Sequence, residues 1–225
     1  MPAPEMWRQV DDYIEALCLP PEKDFVAALE QCLKDSSAAQ LPEINVSQNE
    51  GKLLFMLARL CGAKRVLEIG GLGGYSALWL AKALPADGKL LSLELELKHA
   101  EVARKNLARG GFGKIAEVRV GPAQESLKAL IAGGEAPFDL VFIDADKTAY
   151  SEYLDFAMQL TKSGSVILAD NVIRDGKILY ADAREPNVVA IQQFNKKLAA
   201  DTRLETLLLP LLRESMDGLA IARRK

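Results

Sequence analysis

Apolar residues along this chain follow two different rhythms. Up to about Lys64 they recur every three or four positions, as in "MWRQVDDYIEAL" and "KDFVAALEQCL", which predicts amphipathic helices separated by Pro20 and Pro21. "SSAAQLPEINV" reads as a loop. Ser47 and Glu50 then form a capping box that opens a third helix over "GKLLFMLARLCG", with Leu53, Leu54, Leu57, Ala58 and Cys61 as its buried stripe. From Arg65 onward, short continuous apolar runs alternate with helical stretches. The runs "RVLEI", "KLLSLEL", "AEVRV", "FDLVFID" and "SVILAD" are not polar at every second position, as strands of a parallel sheet covered on both faces should be. Helices are predicted to begin near Tyr75, Lys98, Ala123 and Thr148, and again over "VVAIQQFNKKLAAD". "RLETLLLPL" and "DGLAIARRK" supply two final strands. The pattern predicts a doubly wound α/β domain, mostly parallel, with a helical N-terminal extension.

Composition narrows the class. A chain of 225 residues with 49% hydrophobic and 26% charged residues suits one soluble globular domain, and a net charge of -3 gives no reason to expect nucleic acid as a partner. The basic "ARRK" and "ARKNLAR" segments read as solvated faces. Cys18, Cys32 and Cys61 are odd in number and far apart, which predicts buried thiols in a reducing, cytoplasmic compartment. No signal peptide is expected, and "LLFMLARLCGA" is too short to span a membrane. His99 is the only histidine, which excludes His-rich zinc sites. It is placed on a helix surface and given no function. "GYSAL" fails the GxSxG pattern of serine hydrolases.

The stretch "VLEIGGLGGYSALWLA" sets four glycines in five positions between a strand and a helix. In a doubly wound sheet that turn lies at the ligand-binding edge. A phosphate-binding P-loop would need GK[ST] at its end. A dinucleotide fingerprint would read Gly71-x-Gly73-x-x-Ser76, imperfect in its last position. A tight turn without ligand is the plainest alternative. S-adenosylmethionine (SAM) is the remaining reading. Glu68 at the strand's end favours it, because a carboxylate there can order the loop amides and face a cation, whereas it would repel a pyrophosphate. Glu94 closes the second strand, where an acid accepts hydrogen bonds from ribose hydroxyls in both SAM and NAD enzymes.

The fourth strand ends in Asp144, Asp146 and Lys147, and the fifth in Asp170 and Asn171. If these strands are neighbours, three carboxylates and an amide converge beside the glycine loop. Oxygen ligands without His or Cys are what Mg²⁺ or Ca²⁺ selects. Aspartates that merely cap helices are the alternative.

"VLEIGGLGGYSALWLAKALPADGKLLSLELE", "VGPAQESL", "FDLVFIDADKTAY" and "ILADNV" together resemble the cation-dependent O-methyltransferases of the caffeoyl-CoA and catechol type, over a stretch from about "INVSQNEG" to the C-terminus. The resemblance implies a seven-stranded Rossmann-like methyltransferase fold in a single domain, 1–225, with a helical extension or lid over 1–46 and a catalytic core over 47–225. It implies that Val46, Glu68, Gly70, Gly71, Ser76, Glu94, Ala123 and Asp146 contact SAM. It implies that Asp144, Asp170 and Asn171 hold Mg²⁺ or another divalent cation such as Ca²⁺ or Mn²⁺, that Lys147 is the general base beside Asp144, and that the protein is a homodimer. The acceptor would be a hydroxylated aromatic small molecule with vicinal oxygens. Two other classes stay open on sequence: an NAD-linked oxidoreductase on the same sheet and a non-catalytic SAM-binding protein. The chain departs from the family pattern after "DN", where "VIRDGK" places Arg174 and Asp175 in place of the usual aromatic, and in the longer "LLRESMDG" stretch. Both departures bear on the acceptor.

Overall fold

The computed structural model describes residues 4–18, 22–180, 182–212 and 216–225; Pro20, Pro21 and positions 213–215 of the "LLRESMDG" stretch lie outside the described residues. Three helices come first: α1 (Pro4–Cys18), α2 (Lys23–Ala38) and α3 (Gln48–Leu60). The alternating part follows as β1 (Arg65–Ile69), α4 (Tyr75–Ala83), β2 (Lys89–Glu94), α5 (Leu97–Arg109), β3 (Ala116–Val120), α6 (Ala123–Ala132) and β4 (Phe138–Ile143). It continues as α7 (Tyr150–Leu160), β5 (Thr161–Ala169), α8 (Pro186–Ala200), β6 (Leu204–Leu212) and β7 (Met216–Arg224), with short 3₁₀ turns at Lys147–Ala149 and Lys177–Leu179.

The capping box forms as read: Ser47 Oγ accepts from the Glu50 amide at 3.2 Å, and the Glu50 carboxylate accepts from the Ser47 amide at 2.8 Å. The loop expected at "SSAAQ" is only half right, because α2 continues through Ser36, Ser37 and Ala38. Weak helix formers are held there by tertiary contacts. Asp35 accepts from Gln31 one turn earlier at 2.8 Å and from Arg109 of α5 at 2.6 Å.

The seven strands form one sheet in the order β3-β2-β1-β4-β5-β7-β6. Strands β1 to β5 are parallel, and β7 enters antiparallel between β5 and β6. The chain winds outward from β1 to β3, then returns to β1's other side as β4. The switch point therefore falls between β1 and β4, where such sheets open a crevice at their carboxyl ends.

Alternate strand residues feed two cores. Val66, Leu90, Leu140 and Phe142 pack beneath α3, α4 and α5, while Leu67, Leu91, Val141 and Ile143 pack beneath α6, α7 and α8. Burial on both faces explains why the strands read as continuous apolar runs. α2 joins the first core through Phe25, which stands edge-on to the fully buried Trp79 of α4 with ring centroids 5.1 Å apart. Among the described residues no helix is long and apolar enough to cross a membrane.

Candidate active site

At the switch point a cleft of about 710 Å³ opens over the carboxyl ends of the strands. The glycine loop forms its floor. Gly70 leaves β1 with φ +97°, a conformation strained for any side chain, and a β-carbon there would stand 2.0 Å from the Asp144 carbonyl oxygen. The loop thus presses against the end of β4. Gly74, at φ +89°, turns the chain into α4 where only 3.1 Å would separate an added β-carbon from Ala103.

Three supports hold the loop. Glu94 Oε2 accepts from the Leu72 amide at 2.7 Å. Asn106 of α5, buried to 1% exposure, donates its Nδ2 to the Gly73 carbonyl at 2.9 Å and to Cys32 Sγ at 3.3 Å, tying α2 to the loop. Glu68 lies underneath. Its carboxylate accepts from Ser76 at 2.6 Å and from Ser92, its register partner on β2, at 2.5 Å.

Glu68 is fully buried and does not line the cleft. Its place at the end of β1 predicts a carboxylate aimed at the loop amides and at a cationic ligand. In the structure it faces serine hydroxyls one layer below. The reason is geometric: the residue before the final position of a central strand points into the helix-covered face, not off the sheet edge. Burial pushes its acid up to about 7; the two serine hydroxyls pull it back in part, and the charges of Asp144 and Glu94 add to the rise.

The other sequence-selected cofactor positions gather on the cleft wall: Val46, Gly70, Gly71, Ser76, Glu94, Ala123 and Asp146. Ala123 sits at the first turn of α6. Asp146 is exposed, and its carboxylate caps the following turn by accepting from the Thr148 amide at 3.1 Å and hydroxyl at 2.6 Å.

Beside the loop, Asp144 and Asn171 line the cleft, and the adjoining Asp170 is buried at 4% exposure. Among the described residues no three Asp, Glu, His or Cys side chains group so as to hold a metal ion. The expected gathering of three carboxylates is therefore reduced to the Asp144–Asp170 pair plus the Asn171 amide, because Asp146 turns to Thr148. Burial, then the charges of Asp144 and Glu50, push the Asp170 acid well above the carboxylate range; the Asn171 amide at 2.7 Å and Lys147 oppose this. Asn171 adopts φ +59°, a left-handed conformation that asparagine tolerates better than most residues.

Lys147 is held on two sides, donating to Asp144 Oδ1 at 2.7 Å and to the Tyr150 hydroxyl at 2.8 Å. Tyr150 is fully buried and donates onward to the Asp170 carbonyl at 3.0 Å, so one phenol links the ends of β4 and β5 through Lys147. A lysine pinned between a carboxylate and a phenol is not the loose surface side chain that its position at a helix start could have meant.

Sequence reasoning passed over several residues that border the cleft. His99 does lie on α5, but half-buried at the cleft wall with Nδ1 3.2 Å from Glu94 Oε1. Leu33, Ser36, Pro42 and Ile44 show that the N-terminal extension builds part of the wall, and Tyr153 and Asn187 line it as well. Ser92 was within reach of the sequence: it is the one polar residue in the run "LLSL" of a buried strand. Asn106 and His99 carried no such mark.

Residues 22–225 match the model of a family described as O-methyltransferase. The chain is 43% identical over 219 residues to a catechol O-methyltransferase of Niastella koreensis, across 97% of both chains. It is 46% identical over 196 residues to a catechol O-methyltransferase of Mycobacterium tuberculosis, across 87% of both. Its fold superposes on the crystal structure of an O-methyltransferase from Bacillus cereus in complex with SAH with a TM-score of 0.94 at 37% identity, over 99% of this chain and 100% of that one. The chain belongs to the O-methyltransferase family and is a SAM-dependent enzyme of that class. The NAD-linked and non-catalytic alternatives fall away.

Proposed function

We propose that this enzyme transfers the SAM methyl group to one hydroxyl of a catechol-like small molecule, with a divalent cation held by Asp144, Asp170 and Asn171. The observation that carries this reading is the junction at the switch point, where Gly70 touches the Asp144 backbone and Lys147 binds the Asp144 side chain. Cofactor loop, oxygen donors and a basic side chain meet there at one end of the cleft. The catechol O-methyltransferase names of the relatives support the acceptor class.

The donor set fits a hard cation such as Mg²⁺, Ca²⁺ or Mn²⁺, since two carboxylates and an amide offer oxygen alone. About one phenol in a thousand is ionised at pH 7, a deficit of roughly 4 kcal/mol for a nucleophilic oxygen. A bound divalent cation would lower that deficit by favouring the oxyanions of two adjacent hydroxyls. The chain supplies the rest. Val46, Gly70, Gly71, Ser76, Glu94, Ala123 and Asp146 hold SAM, and Glu68 acts from beneath by fixing Ser76. Lys147, when neutral, takes the acceptor's proton at Nζ, and Tyr150 holds that nitrogen toward the cleft.

The whole chain, 1–225, works as a single methyltransferase domain. Its core is 47–225, and 1–46 closes over the cofactor, as the wall positions of Leu33, Ser36, Pro42 and Ile44 suggest. The apolar side chains of Val10, Tyr13 and Leu17 exposed on α1 support a homodimer, and the free thiols suit the cytoplasm, although of the three only Cys32 is buried as expected, Cys61 being half-buried and Cys18 exposed. The reaction is assigned neither a nucleic-acid nor a membrane partner.

The test is methyl transfer to catechol with and without EDTA, in wild type and in Asp170→Ala. Loss of turnover in both cases, restored by Mg²⁺ only in wild type and with SAM binding retained, is expected. Full turnover by metal-free protein would overturn the cation's role.

A further inference from the structure

The shell around Glu94 can be counted. An ionised carboxylate offers about four lone-pair sites. Three are taken by the protein: Oε2 by the Leu72 amide at 2.7 Å, and Oε1 by the Glu96 amide at 3.0 Å and by His99 Nδ1 at 3.2 Å. Glu94 is 7% exposed, and both it and His99 line the cleft. One site remains, on Oε2, whereas a ribose diol brings two hydroxyl donors.

His99 is the only histidine in the chain, and its contact with Glu94 decides its tautomer. The Oε1 atom is an acceptor, so the ring nitrogen facing it must carry the proton. In a neutral imidazole this leaves Nε2 as an acceptor. We propose that His99 belongs to the ribose site of SAM: its Nδ1–H holds Glu94 in place, and its Nε2 accepts the hydroxyl that Glu94 has no lone pair left to take. Glu94 and His99 then divide the diol between them, one hydroxyl each. This rests on Glu94 as the ribose acceptor.

Two measurements test it. In the free wild-type protein, a long-range ¹H–¹⁵N NMR spectrum about two pH units above the ordinary imidazole pKa reports the tautomer of a single ring. A protonated Nδ1 is the expected result, and a protonated Nε2 would overturn the proposal. Calorimetry then compares SAH with its 2′-deoxy and 3′-deoxy forms in wild type and His99→Leu. The substitution should weaken SAH binding about tenfold and should weaken one of the two deoxy forms, the one lacking the hydroxyl that Nε2 accepts, clearly less than the other. An equal loss for SAH and both deoxy forms, or no loss for any, overturns the role of Nε2. Glu94→Ala serves as the control: if it binds SAH like wild type, the ribose role of Glu94 fails first; if it binds weakly while His99→Leu does not, only the present inference fails.

Discussion

Gly70 and Asp144 meet backbone to backbone, so closely that a β-carbon on Gly70 would lie 2.0 Å from the Asp144 carbonyl oxygen. The contact joins the loop of β1 to the end of β4, the two strands that flank the switch point. Gly70→Ala should therefore damage both halves of the site. Its φ of +97° alone costs an alanine about 1–3 kcal/mol, before any shift of β4. A lower melting temperature and SAH affinity reduced at least tenfold are expected by thermal unfolding and calorimetry. A variant that binds SAH like wild type would show that the contact is incidental.

Glu68 makes stability depend on pH in a definite direction. Its acid sits at about 7 in the folded protein against an ordinary 4.5, so between those values the unfolded chain has released the proton and the folded chain still holds it. Stability contributed by this group is full below about pH 4.5 and is lost as pH rises toward 7, on the order of 3 kcal/mol in total. Glu68→Gln should remove that slope. Urea unfolding of the ligand-free protein in steps across this range checks it, and identical slopes in the two proteins would refute the assignment.

Asn106 holds the glycine loop without touching the cleft. Asn106→Leu keeps the side chain's bulk but removes the 2.9 Å hydrogen bond to the Gly73 carbonyl and leaves it only the weak Cys32 Sγ donor at 3.3 Å, a loss of about 1 kcal/mol. The expected signature is a raised KM for SAM with the KM for the acceptor unchanged. If both constants move together, Asn106 supports the fold in general and not the loop.

Glu94→Ala should weaken SAM binding by about 1–3 kcal/mol through lost hydrogen bonds to ribose. The Leu72 amide loses its acceptor in the same variant, so the loop should loosen as well. Hydrogen exchange at Leu72 that stays as slow as in wild type would contradict that second effect.

Arg174 borders the acceptor end of the cleft, three residues past Asn171, in a left-handed conformation with φ +53°. The Asp217 carboxylate fixes its backbone by accepting from the Arg174 amide at 3.0 Å. Among the described residues neither Asp175 nor Asp182 pairs with its guanidinium. A guanidinium placed there suits acceptors carrying a carboxylate. Wild type should prefer an acidic catechol over its neutral amide in kcat/KM, and Arg174→Ala should erase most of that preference. A variant that slows both substrates alike would show that Arg174 does not read their charge.

Much of this protein was legible in its sequence because the relevant signals are local. Continuous apolar strands, helical spacing and a glycine-rich turn after a strand are each written within a few residues, and they were enough for the sheet, its helices and the place of the cofactor loop. The strand-end positions of Glu94, Asp144, Asp170 and Asn171 follow from the same grammar, because a doubly wound sheet brings strand ends to one edge. What the sequence did not determine is direction and partnership across the chain. Glu68 was legible as an acid at the end of β1, but only packing shows that it faces Ser76 and Ser92 beneath the loop. Asp146 reads like Asp144 in "DAD", yet it caps the Lys147–Ala149 turn while Asp144, directly after β4, meets Lys147, because two residues past the strand the chain has already begun that turn. His99 and Asn106, on one helix, reach Glu94 and Gly73 only after α5 has docked on the sheet. Asn106 depends on a contact 33 residues away and His99 on how the chain turns from β2 into α5, and both are set only once the two cores have formed and fixed each helix against its neighbours.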